Sequence, residues 1–206
     1  RKRRNHMSKA QRVVIKPSEF GEANSFQLSA TVALAVTQAN DGTLFSFRWG
    51  STSRTALIQS IKLAHIQTAA ATATIMPSFE VFVARSFSVA DSIGSALTLT
   101  TNSFKKKKTQ PLTRLTDARK STIAAGLTAG TRTLDASPIL QMPVNMTITT
   151  PNSTLYKAEK IYDASPLILG VDEGIIVRGP SIIYGAADTS NLVVEIEWTE
   201  VINENL

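Results

Sequence analysis

Two histidines are the side chains whose ordinary pKa suits proton transfer near neutral pH. His6 lies in a basic stretch, and His65 lies at a strand-like position between Ala64 and Ile66. A histidine on a strand is more often a hydrogen-bonded or half-exposed residue than a catalyst. The chain has no cysteine, which excludes thiol nucleophiles, zinc–thiolate sites and disulfides.

Paired carboxylates could support glycoside hydrolysis. Asp172 and Glu173 are adjacent in a glycine-flanked turn, which favours a solubilising or partner-binding role. Glu195 and Glu197 share one face of a predicted strand, about 6–7 Å apart by strand rise, as on a solvated or interface face. The sequence lacks the P-loop, H-E-x-x-H, G-x-S-x-G and EF-hand motifs. We therefore predict no enzyme, with no catalytic residue, no metal site and no cofactor.

Positive charge is concentrated at the start of the chain. The formal net charge is +6, yet residues 1–16 hold seven basic and no acidic side chains. The basic residues there are Arg1, Lys2, Arg3, Arg4, Lys9, Arg12 and Lys16. We predict that residues 1–19 form an extended basic arm that contacts a partner or nucleic acid. Phosphate binding, a solvated terminus and an arm crossing onto a neighbouring subunit remain open alternatives.

A second basic cluster lies inside the chain, between the turn-forming residues Asn102 and Pro111. It consists of Lys105, Lys106, Lys107 and Lys108. We predict an exposed loop that can serve as an interface. Only Phe104 lies nearby, so a base-stacking platform is not expected. Beyond residue 150 there are three basic and nine acidic residues, a dipolar layout that suits contacts between subunits as well as nucleic acid.

The elements that must position these groups are strands, because the hydrophobic period is mostly two. The clear strands are predicted over residues 28–36, 43–49, 56–67, 78–87 and 191–201, with shorter ones over 144–149, 155–162, 166–169 and 174–178. The first two flank Asn40-Asp41-Gly42 and are predicted to form a hairpin. Residues 116–125 are the best helix candidate.

Many short strands separated by turns predict an all-β antiparallel sandwich, jelly-roll-like, with the basic arm at its N-terminal end. We predict one β-sandwich domain over residues 20–206. The longest apolar run, residues 28–36, is far shorter than the about 20 residues of a membrane-spanning helix, so no membrane contact is expected.

Four segments are more specific than a generic β domain. They read LFSFRW over residues 44–49, TAGTRTLD over 128–135, DEGIIVR over 172–178 and VEIEWTE over 194–200. In this order they resemble a family of virion structural proteins of tailed phages and prophages, of similar length to this chain. The resemblance spans residues 46–201 and excludes the arm. The family has no established catalytic motif, so no active residues carry over.

The resemblance implies a capsid cement or decoration protein, or a minor head or tail component, made in the host cytoplasm and located in the virion. The alternative is a single jelly-roll coat protein whose basic arm binds the packaged genome. A carbohydrate-binding module or lytic tail enzyme ranks last, because most aromatic residues fall on apolar strand faces. The expected partners are copies of the chain itself (a trimer before a dimer), other capsid or virion proteins, and nucleic acid through the arm.

Overall fold

The computed structural model describes residues 24–148, 155–162 and 165–202. The strands are β1 (Asn24–Leu34), β2 (Thr43–Trp49), β3 (Arg54–Gln67), β4 (Ser78–Arg85), β5 (Ser95–Ala96), β6 (Asp117–Lys120), β7 (Thr133–Leu134), β8 (Leu140–Pro143), β9 (Tyr156–Ile161), β10 (Leu167–Leu169), β11 (Glu173–Arg178) and β12 (Ser190–Ile202). One turn of 3-10 helix covers Asn102–Phe104. The predicted arm, with Arg1 to Lys16, lies outside the described residues.

The strands form two antiparallel sheets. In sheet 1 the order is β1-β12-β3, and β9 and β10 follow one another along the far edge of β3. In sheet 2 the order is β5-β6-β2-β11-β4, and β7 and β8 share the far edge of β4.

The strand pairing is nested. The first strand pairs with the last, β2 with β11, β3 with β9 and β10, and β4 with β7 and β8. The chain thus folds back on itself like one long hairpin wrapped across two sheets, which is the arrangement of a jelly roll. The prediction of an all-β, jelly-roll-like antiparallel sandwich is confirmed.

The core lies between the two sheets. In β1 every second side chain from Phe26 to Leu34 is buried, and those between them face solvent. Trp198 of β12 stacks on Phe26 with ring centroids 5.4 Å apart, and meets Phe47 of sheet 2 edge-on at 5.2 Å. Burial of such aromatic side chains contributes a large part of the hydrophobic free energy that holds the sheets together.

The central strands of sheet 2 are buried on both faces. Their second face is covered by chain from the segment 86–135, where Phe87 packs against Ala84 and Ile176. Consequently β2, β4 and β11 contain runs of consecutive buried residues instead of strict alternation. The outer face of sheet 1 stays open to solvent, and strands β1, β3 and β12 alternate accordingly.

Three sequence predictions are wrong in detail. The strands around Asn40-Asp41-Gly42 form no hairpin, because β1 pairs with β12 while β2 pairs with β6 and β11. Residues 116–125 contain strand β6 instead of a helix, since pairing with β2 outweighs a weak local preference. The predicted strand 144–149 is reduced, within its described part, to a bridge between Met146 and Ile75.

Candidate functional site

His65 is a core residue and not a candidate proton-transfer group. Its side chain is buried on β3, and Nε2 lies 3.4 Å from the Tyr184 hydroxyl, which also bonds Ser190 at 2.9 Å. Burial lowers the pKa of His65 to about 4, so the ring is neutral at pH 7. The ring also packs on Phe79, with centroids 5.3 Å apart.

We expect acid to destabilise the fold through His65. The unfolded chain regains the ordinary histidine pKa of about 6.5, so below that pH it binds a proton that the folded chain does not. The free energy of unfolding should fall by about 1.4 kcal/mol per pH unit from about pH 6.5 down to about pH 4, and be unaffected above this window. Urea unfolding of the native chain and of His65→Gln at several pH values measures this. Equal pH slopes for the two proteins would contradict the assignment. Buried Glu200 changes the pH dependence of stability in the opposite direction to His65, because burial raises its pKa. It does so equally in both proteins.

Asp172 and Glu173 form contacts within the chain, and their solubilising or partner-binding role stays a prediction. Asp172 Oδ1 accepts from Arg48 at 2.9 Å. Glu173 forms an ion pair with Arg85 and accepts from the N–H of Gly170 at 2.7 Å, closing its own turn. Asp172 is therefore held by a cation, and Glu173 by a cation and a backbone N–H.

A buried ion pair joins two of the loops that cover sheet 2. The side chains of Asp91 and Arg132 are 0% and 5% exposed and contact one another. Asp91 also accepts from the N–H of Gly130 at 2.8 Å, and Arg132 donates to the Thr43 hydroxyl at 2.9 Å and lies over the Phe87 ring. Burial lowers the pKa of Arg132 to about 10, which leaves it charged at neutral pH. Arg48, Arg132 and Glu173, which lie in three of the segments singled out in the sequence, thus form contacts within the fold.

Glu195 and Glu197 lie on the open face of sheet 1, as predicted for a solvated or interface face. Glu195 lies opposite Lys62, and Lys62 forms an ion pair with Glu159 at 3.0 Å. The hydrogen bond and charge of Glu159 raise the pKa of Lys62. Beside them is an open hollow of about 320 Å³. It is lined by Gln59, Ser60, Lys62, Glu159, Ile161, Tyr162 and Glu197.

The lysine loop, residues 105–108, runs along the free edge of β1. Lys105 forms an isolated β-bridge with Phe26, and the N–H of Lys106 donates to the carbonyl of Ser25 at 3.1 Å. Lys106 Nζ forms an ion pair with Glu197 at 2.9 Å. Residues 106–108 are exposed and Lys105 is half-buried. The prediction of an exposed loop is confirmed for three of the four lysines; its role as an interface stays a prediction.

Sequence reasoning missed a surface at the opposite end of the strands. Here four connections meet, residues 35–42, 68–77, 144–148 and 179–189, joined by hydrogen bonds such as Thr37 N to Gly185 O and Ala71 N to Thr147 O. We call this surface the loop end. Its only charged residues are Asp41 and Asp188, and Asp188 is buried. The absence of lysine and arginine from all four connections was a usable signal in the sequence.

Large apolar side chains are exposed at the loop end. Met76 is 68% exposed, Ile183 60% and Ile148 57%, with Val36 and Ile182 close to 40%. Exposed apolar side chains on a surface depleted of charge are typical of a contact with another protein.

Clusters of metal ligands and membrane-spanning helices are absent from the described residues. Within them no group of three or more histidine, aspartate or glutamate side chains converges as metal ligands would. The same part of the chain contains no helix with the length and hydropathy needed to cross a bilayer.

No protein-family model and no curated protein matches the chain. Among solved structures, it is similar to one described as the structure of infectious bursal disease virus Gx strain, at 12% identity and a TM-score of 0.15. The match covers 90% of this chain and 42% of that one, so the chain spans less than half the length of the viral protein. A TM-score this low carries no argument about fold or function. The interpretation of function therefore depends on the chain's own residues.

Proposed function

We propose that this chain is a structural protein of a virus particle: a single jelly-roll unit that forms the shell with copies of itself and contacts the packaged genome through basic residues. The observation that carries the proposal is the nested jelly-roll pairing on a chain whose surplus positive charge precedes β1. Jelly rolls occur in viral capsid proteins and also in lectins, so the fold alone does not decide.

The distribution of charge favours a shell protein over a lectin. Residues 1–16 carry seven basic and no acidic side chains. In the rest of the chain, basic and acidic side chains are nearly equal in number. A basic segment joined to a neutral β unit suits a phosphate backbone on one side of a shell. A lectin would instead need exposed aromatic and polar side chains around a sugar pocket, and both tryptophans are buried in the core.

The loop end supplies the surface for contacts between copies. Closed shells are built from repeated contacts of one chain with its neighbours. The loop end carries the exposed apolar side chains Met76, Ile148 and Ile183 and little charge, as the core of such a contact requires. Its distance along the strands from the start of β1 would separate the contacts between subunits from the contacts with nucleic acid.

The proposed role of the arm is tested by the salt dependence of nucleic-acid binding. In the full chain, Arg1, Lys2, Arg3 and Arg4 are replaced by glutamine, and binding of a labelled single-stranded oligonucleotide is measured across salt concentrations. Each phosphate contact contributes about 0.7 to the slope of log affinity against log salt, so the slope should shrink by about 3.

The matched control replaces the three arginines among these four residues by lysine, which keeps the charge and should keep the slope. A glutamine variant that binds with the native slope would contradict a role of these residues in contacting the genome.

A cement or decoration protein of a phage capsid is the second candidate, favoured by the open face of sheet 1. Glu195, Lys62 and Glu159 lie side by side there with alternating charge, next to the 320 Å³ hollow. Such a mixed-charge face suits docking on a shell that other proteins have built.

A further inference from the structure

Two segments that cover sheet 2, residues 86–101 and 121–134, carry no exposed charge, and both lie within the described part of the chain. Each segment contains a single charged residue, and these two, Asp91 and Arg132, form the buried ion pair. Burial withdraws both charges from water, which is unfavourable by itself. It leaves the outer surface of the two segments uncharged. We call this surface the cover surface.

The cover surface is fixed by contacts between its two segments. Ser92 and Thr128 exchange backbone hydrogen bonds with N···O distances of 2.9 and 3.1 Å. The N–H of Gly130 donates to Asp91 at 2.8 Å. A Cβ at Gly130 would overlap the carbonyl oxygen of Val89, so glycine allows the two segments to approach this closely. A surface fixed in this way loses little conformational entropy when it binds.

Large apolar side chains are exposed on the cover surface. Val89 is 54% exposed, Ile93 51% and Ile123 41%. Exposed apolar side chains on a surface without charge are typical of the core of a contact between proteins. Arg48 donates to the Ser88 carbonyl at 2.8 Å and so places a charge at the border, as in the polar rim of such contacts.

Ile93 is a residue that its local backbone disfavours. Its φ angle is 63°, in the left-handed region, where a β-branched side chain is strained. Among the described non-glycine residues with positive φ it is the one large apolar residue, and the others are Thr37, Asp41, Ser86 and Asp172. Because half of its side chain is exposed, packing within the fold does not explain the isoleucine. A contact with another molecule gives it a physical reason.

The lack of charge on the cover surface restricts what can bind there. An uncharged surface buries another surface with little charge most favourably, because an unpaired charge would lose its hydration. The loop end has this character, with Met76, Ile148 and Ile183 exposed, whereas the open face of sheet 1 carries charged side chains. A two-fold contact of the loop end with itself would bring two exposed Asp41 residues into one interface, where like charges repel.

We propose that the loop end of one copy of this chain binds the cover surface of a neighbouring copy. The contact is heterologous, because two different surfaces of the same chain meet. Repeated contacts of this kind close into a ring where the rotation between copies permits, and such a ring can surround a symmetry axis of a shell. This inference rests on the proposed function and deepens it, because it assigns a partner surface to the loop end.

The test uses two variants of the full chain, each of which disables one surface. Ile93→Asp places a carboxylate on the cover surface, and Ile183→Asp places one on the loop end. Each variant alone should lose self-association in sedimentation velocity, because a buried unpaired carboxylate is strongly unfavourable. An equimolar mixture should form a complex of two chains and no larger assembly. In that complex the intact loop end of Ile93→Asp binds the intact cover surface of Ile183→Asp.

Further variants separate loss of contact from loss of fold and from added charge. Aspartate tolerates the left-handed backbone better than isoleucine, so Ile93→Asp should unfold at a temperature no lower than that of the native chain. Val89→Asp, at another position of the cover surface, should behave like Ile93→Asp alone and in the mixture. Ile168→Asp adds the same charge at a position 49% exposed on the open face of sheet 1 and should assemble like the native chain.

The outcomes distinguish this proposal from the one on which it rests. If Ile93→Asp and Val89→Asp assemble like the native chain, the cover surface is not the partner, while loss of assembly in Ile183→Asp still supports the loop end as a contact. If both variants are monomeric and their mixture is monomeric too, the two surfaces do not bind one another and the heterologous contact is excluded. A native chain that stays monomeric overturns both proposals.

Discussion

Asp91→Ala should lower the free energy of unfolding by about 3–5 kcal/mol, which is the effect of leaving one partner of a buried ion pair without its counter-ion. The Arg132 side chain is only 5% exposed, so water cannot replace the lost carboxylate. The N–H of Gly130 loses its acceptor in the same substitution. The free energy of unfolding of a domain is about 5–15 kcal/mol, so this variant should lose a large share of its stability. Urea unfolding followed by fluorescence measures it, because Trp49 and Trp198 are both buried.

Two controls accompany this variant. Asp91→Ala/Arg132→Met removes both charges and should be more stable than Asp91→Ala alone, because no buried charge is left unpaired. Glu159→Ala breaks the ion pair with Lys62, in which Glu159 is 39% and Lys62 40% exposed. It should lower the free energy of unfolding by no more than about 1 kcal/mol. Equal losses for Asp91→Ala and Glu159→Ala would contradict the structural role of the buried pair.

Ile183→Asp should abolish self-association while leaving the fold intact. Ile183 is 60% exposed at the loop end, so an aspartate there is solvated in the free chain. In a contact between copies the same carboxylate would have to be buried without a partner, which is strongly unfavourable. Sedimentation velocity of the native chain and the variant under identical conditions gives the result.

The matched control is Ile168→Asp on the open face of sheet 1, where Ile168 is 49% exposed. It should associate like the native chain. An Ile183→Asp variant that still assembles would exclude the loop end as the contact. Loss of assembly in Ile168→Asp alone would place the contact on sheet 1, as the cement interpretation expects.

The sequence predicts strands well where one face meets solvent. In β1, β3 and β12 the alternation from Phe26 to Leu34 and from Leu192 to Trp198 reflects the open face of sheet 1 directly. The order of strands could not be predicted from the sequence. An Asp-Gly turn favours a reversal of the chain, but it does not specify the sheet to which the next strand belongs. Asp41 does adopt the positive φ expected of that turn, at 53°, yet the turn links two different sheets.

The candidate site, like the fold, could be predicted from the sequence only in part. The basic residues of the arm and of the loop are visible in the sequence as composition. The position of the lysine loop beside the start of β1 follows only from the bridge between Lys105 and Phe26. The partners of Asp172 and Glu173 were also hidden, because Arg48 and Arg85 are 124 and 88 residues away in the chain. Single-residue patterns do not encode pairings at such separations.

Electron microscopy of the purified full chain mixed with single-stranded nucleic acid at low salt tests the central proposal most directly. A shell-forming jelly-roll protein should give closed particles whose walls are built from this chain alone, with the nucleic acid enclosed. A monodisperse monomer in light scattering, with no particles in the images, would contradict the proposal that the chain forms a shell.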